Sequence, residues 1–284
     1  MKLNNNIFWS SKKSNKKTCK IKKFSYNDNT HETAFHSEVC PPTCDDLTCG
    51  FFGNKKIVNV YIDGFNHYHS LIKKIEEEGS SWSNKYKWCN LRKLAESYLN
   101  DDEKLNKVYF FTALSEWDKP ARKRHKTYIQ ALRKMGTDVI LGKFNRVEKT
   151  FKNGKNVLEE IQPKDNDVPD LLKFITYEEK ETDVNIALKI FEDGVFDNYD
   201  KAIIVSGDSD IIPAIRRVRD LSKKGKIGNK EFVSLLFPRS KGKMIVKTCS
   251  SRLNIDSKHI ENSLLPNKID IGNGKHIIKP KSWK

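Results

Sequence analysis

The stretch Ala202–Asp210, AIIVSGDSD, decides the fold class of this chain. Its first four residues form a continuous apolar run, which is typical of a strand buried on both faces at the centre of a parallel sheet. The run ends in a polar turn, and a helix is predicted beyond it because apolar residues recur at spacings of four, three and three. These helical positions are Ile211, Ile215, Val218 and Leu221. A buried strand that leads through a polar turn into a helix is typical of an α/β fold.

Similar units recur from residue 55 onward, so the sequence predicts a three-layer α/β fold with a mostly parallel central sheet flanked by helices. The predicted strands cover residues 57–62, 108–111, 139–141, 202–205 and 232–237. The predicted helices cover about residues 66–78, 91–99 and 120–135, and others open within 178–183, after Asp210 and after Ser240. The polar stretch from Arg146 to Tyr177 has no periodicity that assigns it to a helix or a strand.

Composition divides the chain into three segments. Residues 1–54 show no sustained periodicity and are predicted to be a basic, cysteine-containing and poorly ordered arm. Residues 55–266 form the predicted α/β domain, and residues 267–284 form a looser basic tail.

The six cysteines do not resemble a secreted disulfide framework, because Cys89 and Cys249 stand alone within the domain. The arm contains a group of side chains that could supply a tetrahedral zinc site: His36, Cys40, Cys44 and Cys49. Their spacing matches no established zinc pattern, so reduced and unliganded thiols are the favoured interpretation.

The charge of the chain favours a polyanionic partner. Lys and Arg total 53 against 37 Asp and Glu, which gives a net charge of +16. A basic, solvated surface without a partner is the alternative. No apolar run approaches the ~18 residues of a membrane span, and the opening residues lack the apolar core of a secretory signal. We therefore expect a soluble, cytoplasmic protein with no membrane partner.

Aspartates stand at the ends of predicted elements. Asp63 follows the first strand, Asp208 follows the strand 202–205, Asp210 lies two residues further on, and Asp183 opens a helix. Loops at the carboxyl ends of parallel strands form the ligand crevice of such folds. Gathered carboxylates repel each other, and a hard divalent cation such as Mg²⁺ or Mn²⁺ resolves that repulsion. One or two such ions could activate a water and neutralise charge on a phosphodiester.

Each aspartate also has a purely structural interpretation. Asp208 or Ser209 could cap the following helix, Asp183 could favour a helix start, and Asp63 could form a turn with Gly64. Capping does not require the three carboxylates to converge. Three acidic ends in a basic protein therefore favour a site.

Three motifs resemble the acidic motifs of NYN domains, a LabA-like branch of the PIN-like ribonuclease superfamily, in the same order. They are Tyr61–Asn66, YIDGFN; Lys180–Val184, KETDV; and Val205–Asp210, VSGDSD. The resemblance covers about residues 55–266, and the last motif is the most specific. It implies a metal-dependent ribonuclease that hydrolyses RNA phosphodiester bonds with Mg²⁺ or Mn²⁺ and without an organic cofactor.

The resemblance also implies roles for individual residues. The metal ligands would be Asp63, Asp183 and Asp208. Asp210 would be a ligand or a supporting acid, and Asn66 would position metal or substrate, which completes the expected catalytic set. Ser206, counted with the substrate-side residues, would support the site through a hydroxyl hydrogen bond. Two departures stand out: Glu181 occupies a position where the family commonly has Gly, and a cysteine pair often found before the middle motif is missing.

Substrate contacts are predicted on the basic helix at residues 120–135. Its expected phosphate-binding residues are Arg122, Lys123, Arg124 and Lys126, and a solvated helix face is the alternative. Aromatic side chains could stack on exposed bases, although core packing is favoured for most of them. These are Trp82, Trp88, Trp117 and His67.

Two other function classes stay open. A phosphatase with an aspartyl nucleophile at Asp63 typically has a second acid two residues later, and Phe65 at that position argues against it. An RNA-binding adaptor that cleaves little is the main alternative, and Glu181 keeps it open. His67 and His69 could assist proton transfer but are equally compatible with packing, so neither enters the catalytic set. A homo-oligomer is compatible with all of these readings.

Overall fold

A computed structural model describes residues 55–79, 82–152, 171–240 and 242–283 of the chain. The predicted N-terminal arm and its candidate zinc ligands His36, Cys40, Cys44 and Cys49 lie outside the described residues. So do residues 153–170, which fall within the stretch that the sequence left unassigned.

The described residues alternate between strands and helices. The strands are β1 (Lys56–Asp63), β2 (Glu103–Thr112), β3 (Asp138–Leu141), β4 (Lys143–Lys152), β5 (Leu171–Lys180), β6 (Lys201–Val205), β7 (Glu231–Leu236), β8 (Ser251–Asn254), β9 (Lys268–Gly272) and β10 (Lys275–Ile278). The helices are α1 (Gly64–Glu77), α2 (Leu91–Glu96), α3 (Lys119–Lys134), α4 (Thr182–Val195), α5 (Ile212–Lys223), α6 (Lys243–Thr248) and α7 (Ser257–Asn262). Short 3₁₀ helices cover Asn84–Trp88 and Lys281–Trp283. None of the described helices is long and apolar enough to cross a lipid bilayer.

The central sheet has six strands in the order β3-β2-β1-β6-β7-β8, and all of its neighbours are parallel. Along the chain, β2 and β3 follow β1 toward one edge of the sheet, and β7 and β8 then follow β6 toward the other edge. The strand order therefore reverses between β1 and β6. The crevice outside the carboxyl ends at such a reversal is where open α/β sheets bind ligands.

Helices cover both faces of the sheet, and the alternation of side chains along β1 shows why. Val58, Val60 and Ile62 pack into the core shared with α1, α2, α3 and α7. Tyr61 points to the opposite face, where the core is shared with α4, α5 and α6. Because successive strand residues face opposite sides, a strand this apolar must be buried on both. The predicted three-layer α/β fold is confirmed.

The stretch that the sequence left unassigned contains a separate two-stranded sheet. β4 and β5 pair antiparallel from Lys143 opposite Lys180 to Lys152 opposite Leu171. The helix expected to open within residues 178–183 begins only at Thr182, because the preceding residues belong to β5. This pairing brings the end of β5 beside the crevice.

The C-terminal segment differs from the loose tail predicted for residues 267–284. β9 and β10 form an antiparallel hairpin, and Ile269 and Ile277 are buried in the core. The ring of Trp283 lies 6.1 Å from that of Trp88 and 5.7 Å from that of Tyr128. A lysine-rich composition hid these apolar anchors, so the domain extends beyond residue 266.

Candidate active site

The loops that follow β1 and β6 are joined by hydrogen bonds around Asp63. Its Oδ1 accepts from the Asn66 backbone N–H at 2.9 Å and so caps α1, while its Oδ2 accepts from the Ser206 hydroxyl at 2.9 Å. The same hydroxyl oxygen accepts from the Asp208 N–H at 3.0 Å, and Asn66 Oδ1 accepts from the Gly207 N–H at 3.0 Å. These bonds fix the orientation of a buried carboxylate at the strand reversal.

Ser206 is only 1% exposed. Its hydroxyl bridges Asp63 and the backbone of Asp208, as expected for a residue that supports the site. A direct contact of Ser206 with substrate stays a prediction.

Gly64 allows α1 to start against β2. A Cβ at this position would lie 2.7 Å from both Phe110 Cζ and the carbonyl oxygen of Phe111. Real Cβ contacts are not this short, so a larger residue would push the start of α1 away from the sheet. Because Asp63 caps that helix, the close approach also sets the position of its carboxylate.

The carboxylates of Asp63, Glu179, Asp183 and Asp208 line one cavity of about 470 Å³, which we call the acidic crevice. Asn66 lines it too. Asp210 is exposed and does not line the crevice, and its backbone N–H donates to Asp208 Oδ1 at 3.0 Å. The structure thus brings the three predicted ligands to one place and leaves the fourth aspartate at its margin.

The purely structural roles considered for these aspartates, mainly helix capping, are observed for some of them and not for others. Asp63 does cap α1, with one of its two oxygens. Asp208 caps nothing, because α5 begins at Ile212 without a side-chain cap. Asp183 lies in the first turn of α4, where a carboxylate is favourable, but it is not the capping residue.

Burial and mutual repulsion raise the pKa values of the crevice carboxyls. Burial raises the pKa of Asp183 to about 6, and the charges of Asp208, Asp63 and Asp210 add to the rise. Burial, with the charges of Asp63 and Asp183, raises the pKa of Glu179 to about 7. The pKa of Asp63 is also raised by burial, against the hydrogen bonds from Asn66 and Ser206. Carboxyls in this situation are stabilised by a cation.

The donor chemistry of the crevice fits a hard divalent cation, because its acidic groups offer only oxygen ligands. Within the described ranges, no three His, Cys, Asp or Glu side chains stand close enough together to form a ready-made metal site. The features that suit a divalent cation are therefore the oxygen atoms of these side chains and the repulsion between their negative charges.

Cations also line the crevice, and sequence reasoning missed them. They are Lys73, Lys74 and Arg239, and Glu77, which pairs with Lys73 at 3.5 Å, lines it too. Lys74 is 3% exposed, and its Nζ lies 2.9 Å from Glu78 Oε1. The Nη2 of Arg239 lies 3.3 Å from the same oxygen, so Glu78 holds both cations. A cavity lined by both carboxylates and cations suits a phosphodiester with its metal ion.

Glu179 was also missed by sequence reasoning, which drew attention to Glu181 instead. The Glu181 side chain is 49% exposed, pairs with Lys143 at 2.5 Å between Oε1 and Nζ, and does not line the crevice. Its φ of 78° is the left-handed conformation that favours glycine, which gives a physical reason for the Gly that the family commonly has here. Of the interpretations considered for Glu181, facing solvent is the one that the structure supports.

The predicted substrate-binding helix α3 presents its cations on two different surfaces. Arg122, Lys123 and Lys126 line a shallow cavity of about 400 Å³. Arg124 points elsewhere and lines a second cavity, the aromatic cavity, together with Phe65, Tyr68, Trp117 and Phe144. Phosphate contact by these side chains stays a prediction.

Burial separates the aromatic candidates for base stacking. Trp82 and Trp88 belong to the hydrophobic core, so base stacking is wrong for both. Trp117 is 48% exposed and lines the aromatic cavity, and so does His67. His69 lines the acidic crevice.

Comparison with known proteins places this site within a described family. The NYN domain model matches residues 57–233, a span that contains all three acidic motifs. The 6-hydroxy-3-succinoylpyridine 3-monooxygenase HspA of Pseudomonas putida (strain DSM 28022 / S16) is 26% identical over 253 residues, which cover 79% of this chain and 74% of that protein. A protein of unknown function, VPA0982 from Vibrio parahaemolyticus RIMD 2210633, superposes with a TM-score of 0.42 at 18% identity, over 75% of this chain and 98% of that one.

Proposed function

The chain belongs to the NYN domain family, within the PIN-like nuclease superfamily, and on that premise we propose that it is a metal-dependent ribonuclease acting at the acidic crevice. One observation carries the proposal: Asp63, Glu179, Asp183 and Asp208 line one cavity at the strand reversal together with Lys73, Lys74 and Arg239. A capping or core role does not require carboxylates and cations from separate elements to share one open cavity.

In this proposal Asp63, Asp183 and Asp208 would hold Mg²⁺ or Mn²⁺. When bound, such an ion supplies an activated water and neutralises the charge that develops on phosphorus. Through their hydrogen bonds, Ser206 and Asn66 hold the Asp63 carboxylate and the loop after β6 in fixed positions.

The remaining crevice residues would act on the substrate itself. Lys74 and Arg239 would bind the non-bridging oxygens of the scissile phosphate and orient it for in-line attack. Glu179 would accept the proton of the attacking water at a carboxyl oxygen, because it lines the crevice beside Asp63 and Asp183 and its Oε1 accepts no hydrogen bond within the described residues. The bond from phosphorus to the leaving oxygen breaks as the bond to the water oxygen forms.

Cleavage of labelled RNA tests the proposal. The purified chain should degrade RNA in Mg²⁺ or Mn²⁺ but not in a chelator, and Asp208→Asn should reduce the rate by at least about 100-fold. Glu181→Gln is the matched control, since it removes a carboxylate outside the crevice and should leave the rate unchanged. Equal rates in the wild type and Asp208→Asn would refute the assignment. A panel of single-stranded, structured and DNA substrates defines the substrate class.

Two other activities are tested by the same preparation. An RNA-binding adaptor would bind labelled RNA equally well as wild type and as Asp208→Asn, and would cleave in neither form. The name of HspA describes a monooxygenase of a hydroxylated pyridine, and the aromatic cavity of this chain has room for a small ring. Oxygen consumption with such a pyridine and a reductant, in a preparation that leaves RNA intact, would favour that activity instead.

A further inference from the structure

A second cavity of about 450 Å³ opens beside the acidic crevice, and we call it the aromatic cavity. Its principal rings are Phe65, Tyr68, Phe110, Trp117, Phe144 and Trp283. Phe65 lines both cavities, so the two are neighbours separated by a single side chain. The volume lies within the roughly 300–1,000 Å³ typical of small-molecule sites.

The rings at the mouth of the aromatic cavity are ordered against each other and open on one side. Trp117 stacks on Tyr177 with a centroid distance of 4.1 Å and an interplanar angle of 19°. Phe144 meets Trp117 edge to face at 4.8 Å, and Phe65 meets Phe144 in the same way at 5.6 Å. Trp117 and Tyr68 are nevertheless exposed. Exposed rings held in fixed orientation offer stacking surfaces at little entropic cost.

Two cations at the cavity indicate that its occupant is negatively charged. Lys87 and Arg124 both line it, and the Lys87 Nζ lies 5.8 Å from the centroid of the Tyr68 ring. Burial and the like charge of Arg124 lower the pKa of Lys87, against a smaller attraction from Glu76. An anion placed between the two cations would relieve this repulsion.

A planar ring with an attached anion is a description of a nucleotide. We propose that the aromatic cavity binds one unstacked nucleobase of an RNA strand, with the adjoining phosphate against Lys87 and Arg124 and the scissile phosphate in the acidic crevice. The inference rests on the proposed function for the identity of the strand. The cations of α3 that line its other surface, Arg122, Lys123 and Lys126, extend the phosphate path away from the site.

Binding measured without cleavage tests this subsite separately from catalysis. Short labelled single-stranded RNAs, each with one abasic position, are titrated with the full chain in a chelator. Removing the base at one position should weaken wild-type binding by about tenfold, which is within the range of a single base–aromatic stack. Trp117→Ala and the cavity-filling Ala121→Phe should each weaken binding of the intact strand by a similar factor. Phe196→Ala, an exposed ring remote from both cavities, is the matched control and should change nothing.

A double-mutant cycle identifies the contact. When the abasic position and Ala121→Phe are combined, the loss should stay near tenfold, because both changes remove the same interaction. If the losses from the abasic position and from Ala121→Phe multiplied instead, or if every abasic strand bound with equal affinity, the proposal would be overturned. So would tight binding of benzoate by a chain that fails to bind adenosine monophosphate. Base-dependent binding without cleavage would keep the subsite and reject the ribonuclease, whereas cleavage that ignores abasic positions would do the reverse.

Discussion

Replacing Asp183 by Asn should stabilise the metal-free protein while it abolishes the proposed activity. The carboxylate is repelled by Asp208, Asp63 and Asp210, and burial raises its pKa to about 6. Asparagine has nearly the same shape and carries no charge. The substitution therefore removes a repulsion from the fold and a ligand from the proposed metal site.

The size of the effect follows from the pKa. A rise from 3.8 to about 6 corresponds to a penalty of ~3 kcal/mol on the ionised form. The side chain is partly exposed, and solvent screening reduces this to about 1–2 kcal/mol. The folded pKa lies above the unfolded one, so the penalty is absent below the unfolded pKa, grows between the two values, and is complete above the folded pKa. The advantage of the variant should be largest at neutral to alkaline pH.

Urea unfolding in a chelator measures this advantage. At about pH 8 the free energy of unfolding of Asp183→Asn should exceed that of the wild type by about 1–2 kcal/mol, and the difference should vanish near pH 4. Added Mg²⁺ should stabilise the wild type more than the variant, since ligands stabilise the state that binds them. Asp101→Asn, on an exposed loop, is the control. A variant less stable than the wild type at pH 8 would refute the reasoning, because it would mean that the carboxylate makes a net favourable native contact.

Three further substitutions have expected outcomes. Glu181→Gly should be more stable than Glu181→Ala by about 1 kcal/mol, and urea unfolding measures the difference. Both variants lose the exposed ion pair with Lys143, but only glycine removes the strain of a φ of 78°. Glu103→Gln should lower the free energy of unfolding by about 3 kcal/mol, as measured by thermal and urea unfolding. In the wild type the Glu103 carboxylate lies 2.8 Å from the buried Lys201 ammonium, and the variant leaves that ammonium without a counter-charge. His67→Phe should remove an acid sensitivity: burial lowers the His67 pKa to about 4, so the wild type loses stability as pH falls from 6.5 toward 4, by ~2 kcal/mol at pH 5.

Each of these outcomes can fail in a defined way. Equal stability of the glycine and alanine variants at residue 181 would mean that the left-handed conformation costs nothing there. A neutral effect of Glu103→Gln would mean that water reaches Lys201. An unchanged pH dependence of stability in His67→Phe would assign acid sensitivity to other groups.

Much of the fold could be predicted from local patterns. The apolar run at residues 202–205, the alternation that follows residue 55 and the amphipathic helices identify an α/β sheet, and its strands and helices begin within a few residues of the predicted positions. β4 and β5 escaped prediction because their stability comes from pairing with each other across a long connection. β4 has no hydrophobic period to reveal it, whereas the apolar run at the start of β5, Leu171–Tyr177, is a strand signal that the sequence analysis overlooked.

The candidate site divides in a similar way. Asp63, Asp183 and Asp208 were predicted from motifs at element ends, and they line one cavity, while their roles as metal ligands stay a prediction. Glu179 lies in a strand that the sequence did not reveal. Arg239 is separated from α1 by most of the chain and reaches the crevice only through Glu78.

The order of apolar and polar residues by itself determined the layers of this protein, because burial on two faces demands continuous apolar strands and helices with one apolar side. Strand order was decided only in three dimensions. Placing β1 beside β6 costs chain entropy that no local pattern reports, and long-range packing must offset it. That one pairing brings Asp63 and Asp208 to the same cavity.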